Sequence, residues 1–322
     1  MPNPYTIILA PNPSIMTGPG TNTILLGSGV DGAIVIDPAV DDAAYLDALV
    51  QEGARRGGIR RILITHGHHD HIDGAVALRE RTGAPIYAFS RKGAPVTDEE
   101  IADGATFPIG DDKFDDPGLL RTQANQSMLR AIHTPGHRFD HLCYLLEKTK
   151  TLFAGDVVAG VGTVVIKPPE GDMEVYLNTL KRLQEIDIAE IVPAHGPTIG
   201  DAQVKLAEYI AHRMQREQQV LQALVSWRGQ GDMAGASPAT TIYGLRSPTS
   251  YSSGDPCGRH ACPRHARGAT IPQLVQQIYT DVDPRLHGIA AWSVEAHLLK
   301  LEREGLVERL EDGGWTLVRP TA

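Results

Sequence analysis

The chain has 322 residues, with 30 Lys and Arg against 39 Asp and Glu, a formal net charge of -9, and 42% hydrophobic, 21% charged and 5% aromatic residues. This is ordinary soluble globular composition, and it excludes a collagen, a coiled coil and a disordered tail protein. At about 150 residues per domain the length suggests two domains, with core enough to fold without disulfides or a metal. No run approaches the roughly 18 apolar residues of a membrane span, and the opening MPNPYTIILAPNPS has neither a basic n-region nor a long apolar h-region. A cytoplasmic protein without a membrane partner is expected. The three cysteines, Cys143, Cys257 and Cys262, are odd in number, which argues against a disulfide scaffold. The acidic balance removes whole-molecule attraction to phosphate and makes nucleic acid the less expected partner.

In chain order, Tyr5 to Leu9, Asn22 to Leu26 and Gly32 to Ile36 read as short strands separated by Pro11, Pro13, Gly18, Pro19 and Gly20, an antiparallel opening. Asp41 to Val50 reads as helix, Arg61 to Thr65 as a short apolar strand and Gly74 to Arg81 as helix. Strands follow over Met128 to His133, Leu142 to Glu147 and Thr151 to Ala154, then a helix over Met173 to Ile186 and a strand over Ala189 to Val192. Mixed strands with interspersed helices predict an α/β sandwich of about 200 residues.

Asp201 to Val225 predicts one long amphipathic helix, with Asp201 as N-cap and Leu206, Ile210, Met214, Leu221 and Leu224 as its apolar face. Arg228 to Gly268 is rich in Gly, Ser, Pro and Thr without a period, as a linker or insertion is. Order returns with the helical face Ile271, Leu274, Val275 and Ile278. A second helix carries Val294, Leu298 and Leu301, opened by Ser293 and closed near Gly305. Leu306 to Leu310 and Trp315 to Val318 flank the turn Glu311 to Gly314, so the tail predicts a winged-helix-like module.

Four of the thirteen histidines and one aspartate crowd into Thr65-His66-Gly67-His68-His69-Asp70-His71, directly after an apolar strand. Imidazoles and a carboxylate suit Zn, Fe or Mn, and a loop at a rigid strand end fixes them. His66 and His68 can face one ion while Asp70 and His71 turn to a second; His69 reads as a spacer.

The pattern T-H-x-H-x-D-H resembles the metallo-β-lactamase superfamily at every fixed position, and the rest of that family's pattern follows in order. His133-Thr134-Pro135-Gly136-His137 resembles its TPGH loop, Ala154-Gly155-Asp156 its GD element, and Pro193-Ala194-His195-Gly196-Pro197 the segment that gives the last histidine. The resemblance implies an αββα four-layer sandwich. It also implies a first site of His66, His68 and His137, a second of Asp70, His71 and His195, and Asp156 bridging them. Two divalent cations, Zn foremost with Mn or Fe as alternatives, would then share a hydroxide, with Asp70 orienting it and relaying its proton. Asp156 argues against the antibiotic-hydrolysing branch and His68 against the redox diiron branch.

Gly18-Pro-Gly-Thr-Asn-Thr-Ile-Leu-Leu, Gly155-Asp-Val-Val-Ala-Gly and Tyr209-Ile-Ala-His-Arg-Met-Gln-Arg-Glu narrow the resemblance to the β-lactamase-like protein 2 branch, as does the winged-helix-like tail. The expected domains are 1–228 for the catalytic fold including the helix 201–225, 229–268 for the insertion and 269–322 for the tail. His133 reads as structural, and His141 and His212 are left without a role, a place behind the ligands being the alternative for His141. Arg213 and Arg216 have two readings, solvated helix charges or contacts to an anionic substrate. Cys257, His260, Cys262 and His265 form a C-x2-H-x-C-x2-H cluster; its spacing is tighter than that of zinc fingers, which favours a plain loop over structural zinc.

Three functions follow. The first is hydrolysis of a small ester, thioester or lactone, the acyl group free or on a carrier. The second is endoribonuclease action on single-stranded RNA at the same metals, and the third a non-enzymatic winged-helix regulator. Residues 271–322 carry five Lys and Arg against eight Asp and Glu, whereas an RNA grip is basic and aromatic, so the first is preferred. Oligomeric state is open, a homodimer included.

Overall fold

The computed structural model describes residues 4–110, 127–233 and 268–318, with the side chains of 229–233 outside the description. The chain divides into two compact units, residues 1–216 and 217–322.

In the first unit, β1 (Tyr5–Leu9), β2 (Asn22–Leu26) and β3 (Ala33–Ile36) form the antiparallel opening; β4 (Ile59–Leu63), β5 (Ile86–Ala88) and β6 (Glu99–Glu100) then join in parallel to complete a six-stranded sheet. Helices α1 (Ala43–Ala54), the single turn α2 (His69–Ile72) and α3 (Ala75–Thr82) lie between these strands in sequence. The second sheet takes β7 (Thr106–Ile109), β8 (Ser127–His133), β9 (Leu142–Leu146), β10 (Thr151–Gly155) and β11 (Glu190–Pro193) in the order β11-β10-β9-β8-β7, with α4 (Met173–Gln184) entering before its last strand.

Two apolar layers hold these elements. Leu46 and Leu49 of α1 and Leu78 of α3 pack against Leu25, Val35, Ile62 and Ile86 on one face of the first sheet. Its other face supplies Ile24, Ile34, Ile36 and Leu63 to a layer shared with Phe107, Leu129, Leu142, Tyr144 and Phe153 of the second sheet. Every residue of β9 and β10 is buried, so their far face is covered too, and Tyr176 and Thr179 of α4 bond to the carbonyls of Val157 and Pro135. This is the helix, sheet, sheet, helix order of the metallo-β-lactamase fold. Burying strands on both faces is what turns their sequences into near-continuous apolar runs.

The expected strands and helices are present within two residues at most ends, apart from the long helix and the second tail helix, while β5, β6 and β7 had no sequence signal. Ile86–Ala88 and Glu99–Glu100 are three and two residues long, too short for period-two alternation to register.

Helix α5 runs over Ala202–Met233, beyond the expected end, and Asp201 Oδ1 accepts from the Val204 N–H at 3.0 Å as its cap. The stretch 228–233 is therefore helix, not linker: once a helix is nucleated each glycine costs only about 1 kcal/mol. Its buried stripe also differs from the expected one. Leu206, Tyr209, Arg213, Glu217, Val220 and Leu224 are buried, spaced three and four apart, whereas Met214 is 46% exposed. Two charged residues occupy stripe positions, and counting apolar residues alone rotated the face.

In the second unit, Val220 and Leu224 of α5 join a core with α6 (Ile271–Ile278), α7 (His287–Arg303) and the hairpin β12 (Val307–Arg309) and β13 (Trp315–Leu317). Thr270 and Gln273 form a capping box on α6. Helix α7 begins at His287, six residues before Ser293, because Asp283 and Pro284 start it through a 3-10 turn. Helices followed by a hairpin make the winged-helix unit. Residues 257–265, with Cys257, His260, Cys262 and His265, lie outside the described residues. Among the described residues no helix is long and apolar enough to cross a membrane.

Candidate metal centre

Parallel pairing of β3 with β4, and of β10 with β11, brings each pair's C-terminal ends to one edge of its sheet. The two sheets meet near that edge: the Leu142 N–H donates to the Thr65 carbonyl at 2.7 Å, and the Tyr144 hydroxyl to the Ile64 carbonyl at 2.8 Å. The loops leaving these strands carry His66 to His71, Asp156 and His195, while the loop after β8 carries His137.

All seven expected residues come together, in two groups whose ligand atoms lie within 4.8 Å of one another: His66, His68, His137 and Asp156, and Asp70, His71 and His195. In the first, His68 Nδ1 is 2.8 Å from His66 Nε2 and 3.2 Å from His137 Nε2. In the second, His195 Nε2 is 3.4 Å from Asp70 Oδ2, and His71 Nε2 is 3.9 Å from Asp70 Oδ1. Asp156 belongs to both, with Oδ2 3.6 Å from His137 Nε2 and Oδ1 3.6 Å from His71 Nε2 and 3.3 Å from His195 Nε2.

Hydrogen bonds behind the rings decide which nitrogens face inward as lone pairs. His137 Nδ1 donates to the Val165 carbonyl at 2.7 Å, and His71 Nδ1 to Asp37 Oδ2 at 2.8 Å; each acceptor holds the Nδ1 proton, so each ring in its neutral form turns a bare Nε2 inward. The Thr65 hydroxyl donates to Asp37 Oδ2 at 2.7 Å, so His66 Nδ1 donates to that hydroxyl at 3.1 Å and its Nε2 is bare as well. Lone pairs of His66 and His137 that converge on His68, and of His71 beside two carboxylates, form the kind of donor cluster that a cation holds together. His71 Nε2 is buried without a partner, as a ligand waiting for an ion would be.

Electrostatics agree with this arrangement. Burial, reinforced by neighbouring imidazoles, holds His66 well below its usual pKa and His68 down at about 3, so both are neutral donors at pH 7. Burial also lowers His137, against the opposing pull of Asp156. His71 goes the other way: burial disfavours its charge, yet Asp37 and Asp156 outweigh burial and raise its pKa well above the ordinary value. Without a cation a second proton therefore sits on Nε2 between Asp70 and Asp156, in the place a cation would fill, and a bound cation displaces it. Burial pushes Asp156 up, but His71 and His195 win and keep it ionised far below the usual carboxylate range.

Several positions are held by residues the sequence did not single out. Asp37, 2% exposed, follows the buried strand β3 in the left-handed region at φ 53°, and its Oδ1 accepts the Thr65 N–H at 2.8 Å. An ionisable residue closing an apolar strand was the available signal. The Asn22 side-chain amide donates to the carbonyls of Pro193 (3.0 Å) and Gly196 (2.8 Å) around His195, and the Thr21 hydroxyl to the Asp70 carbonyl (3.0 Å). These bonds give the Gly-Thr-Asn-Thr segment its purpose. Asp140 Oδ2 accepts the Gly67 N–H at 3.0 Å. His141, which the sequence left without a role, accepts the Asp156 N–H on Nε2 at 3.0 Å and donates from Nδ1 to Thr134 at 2.7 Å.

His133 stacks on Phe89 at 3.9 Å, and His69 is exposed beside Asp73. Arg213, 1% exposed, is not a solvated helix charge. Close approach requires glycine at several positions, Gly67 and Gly155 among them. A Cβ on Gly67 would lie 1.9 Å from the Gly93 carbonyl oxygen, and Gly155, at φ +50°, has His141 Nε2 2.7 Å from where its Cβ would be.

A family model described as the metallo-beta-lactamase superfamily matches residues 16–195, and one described as the beta-lactamase associated winged helix domain matches residues 270–315. The chain is 31% identical to the beta-lactamase-like protein 2 homolog of Drosophila melanogaster, over 98% of this chain and 94% of that one. It is 32% identical to the atrochrysone carboxyl ACP thioesterase of Aspergillus chevalieri, over 74% and 72%. A metallo-beta-lactamase family protein from Thermus thermophilus shares the fold with a TM-score of 0.67 at 17% identity, over 98% of this chain and 99% of that one. The chain belongs to the metallo-β-lactamase superfamily, as a metallohydrolase with the winged helix associated with that fold.

Proposed function

We propose that the chain is a binuclear hydrolase of acyl thioesters or small esters, its cations held by His66, His68 and His137, by Asp70, His71 and His195, and by Asp156 between them. One observation carries the reading: the two oxygens of Asp156 divide between the groups, Oδ2 toward His137 and Oδ1 toward His71 and His195. Five imidazoles and two carboxylates form a nitrogen-rich, borderline donor set that suits zinc, with Mn and Fe as alternatives. Two divalent cations in such a set supply a water acidified toward pKa 7 and a polarised carbonyl oxygen.

The chain's own groups do the rest. His141 and the close approach at Gly155 fix the Asp156 backbone. The Asp70 carboxylate faces His195 and His71; burial pushes its pKa up, but the His195 hydrogen bond and His71 outweigh burial and keep it ionised. An ionised Asp70 at that place can orient water by accepting its proton on a carboxylate oxygen and pass that proton to the leaving sulfur or oxygen. Water adds to the acyl carbon, the thioester or ester bond breaks, and the products are a carboxylic acid and a thiol or alcohol. A thioester is favoured over a lactone because a relative with 32% identity is named as an acyl carrier protein thioesterase.

The test is a hydrolysis screen of the zinc-loaded protein against an acyl-pantetheine thioester, a lactone, a β-lactam and single-stranded RNA, each repeated with Asp156→Ala. Turnover of the thioester that Asp156→Ala abolishes supports the proposal. RNA cleavage lost in the same variant, without thioester turnover, replaces it with the ribonuclease reading.

A further inference from the structure

The candidate centre leaves one buried charge unexplained. Arg213 of α5 is 1% exposed, and its Nη2 donates to Thr163 Oγ1 at 2.8 Å and to the Val164 carbonyl. Both partners are neutral. The guanidinium carbon lies 5.4 Å from the Tyr176 ring centroid, and Nε is buried with no hydrogen-bond partner. Burying a cation against neutral acceptors with one N–H unmet is costly, and such costs are met where the position of something else matters.

What Arg213 holds is the segment 156–165. It starts at Asp156, and at its middle the Gly160 N–H donates to the His195 carbonyl at 2.8 Å. At its end the Val165 carbonyl accepts from His137 Nδ1 at 2.7 Å. One turn earlier on the same helix the Tyr209 hydroxyl accepts the Ala159 N–H at 2.9 Å and donates to the Gly162 carbonyl at 3.1 Å. Tyr209 pins the middle of the segment, and Arg213 pins the two residues before Val165.

We propose that Arg213 is a positioning residue for the metal centre. By clamping Thr163 and Val164 it sets the Val165 carbonyl, which fixes the tautomer and rotation of His137, and so it sets the cation affinity of the His66, His68 and His137 group. The inference rests on the reading of His137 as a ligand. An arginine suits the task because its rigid planar Nη2 aims its two N–H bonds in fixed directions, one at a hydroxyl and one at a carbonyl, where a lysine ammonium turns freely on a flexible stem.

The experiment titrates zinc into the metal-free full chain against a chromophoric chelator, for wild type, Arg213→Met, Arg213→Lys, Thr163→Val and His137→Ala. Melting of each metal-free form is recorded in parallel. Arg213→Met is expected to weaken one of the two ions by 10 to 100-fold, the range found when the partner behind a ligating histidine is lost, and to leave the other ion within about twofold. Arg213→Lys should recover part of that loss, and Thr163→Val should weaken the same ion by a smaller factor with little change in melting.

Wild-type affinity for both ions in Arg213→Met and Thr163→Val overturns the proposal, whatever happens to the melting temperature. Should Arg213→Met not fold, Thr163→Val decides alone: weakened binding supports the clamp, and wild-type affinity overturns it. His137→Ala separates the two claims. If it loses an ion while the Arg213 and Thr163 variants do not, only the clamp is wrong, and if it binds as wild type the ligand assignment falls with it.

Discussion

Asp37→Asn is nearly isosteric, yet it should disable one of the two groups. The carboxylate gives Oδ1 to the Thr65 N–H at 2.8 Å and Oδ2 to both the Thr65 hydroxyl (2.7 Å) and His71 Nδ1 (2.8 Å). An amide has one oxygen. With that oxygen on the Thr65 N–H, its NH2 group confronts two donors. The hydroxyl can rotate away, but His71 relieves the clash only by moving its proton to Nε2, which leaves N–H on the nitrogen that a cation beside Asp70 and Asp156 would need bare. Losing one charge-assisted hydrogen bond costs about 1.5–3 kcal/mol. A 10 to 100-fold loss of metal affinity, the usual effect of removing a carboxylate behind a ligating histidine, is about 1.4–2.7 kcal/mol. The two figures agree. The assay is zinc content by mass spectrometry after dialysis at buffered free zinc, alongside steady-state hydrolysis. One ion should be retained, the other's Kd should rise 10 to 100-fold, and kcat should fall without a matching change in KM. Two ions bound with wild-type affinity would refute the tautomer argument.

Other perturbations have equally definite outcomes. Gly155→Ala combines a left-handed backbone, worth about 1–2 kcal/mol, with a Cβ 2.7 Å from His141 Nε2, so urea unfolding should show a loss of at least about 2 kcal/mol. Stripping zinc with a chelator should leave far-UV dichroism unchanged, because the two apolar layers do not involve the ligands. Zinc at 100 times its Kd should then add about 2.7 kcal/mol, a rise in Tm of about 5–10 °C by calorimetry; an unmoved Tm contradicts a site formed in the folded state alone. In the winged-helix unit, burial raises the Glu217 pKa, but bonds to His297 and to Lys300 at 3.0 Å outweigh burial and hold it below 4.5. The folded pKa is depressed, so this stabilisation is present above pH 4.5 and is lost as pH falls through the folded value. Glu217→Gln should cost about 1–3 kcal/mol at pH 7 and flatten that acid limb in pH-dependent melting.

The legible parts of this protein were those where one residue type repeats with one purpose. Histidine and aspartate crowded into 66–71, with His137, Asp156 and His195 in family order, marked before any coordinates the seven residues that the fold brings together, and the apolar runs marked the buried strands. What stayed hidden depends on backbone or on partners far away in sequence. The Val165 carbonyl that orients His137 has no side-chain signal at all. Asp37 sits 34 residues from His71, and a single carboxylate after a strand is common. Arg213 and Glu217 hid the true face of α5, because charged residues with buried partners occupy positions that pattern reading assigns to solvent.

The central claim is that seven residues hold two divalent cations around Asp156. Its most direct test is zinc stoichiometry by calorimetric titration of the metal-free chain, compared with Asp156→Ala and His68→Ala. The account predicts two ions per chain in the wild type, weakened binding of both in Asp156→Ala, and loss of one in His68→Ala. A wild type that binds fewer than two, or an Asp156→Ala variant that binds two as tightly, would contradict it.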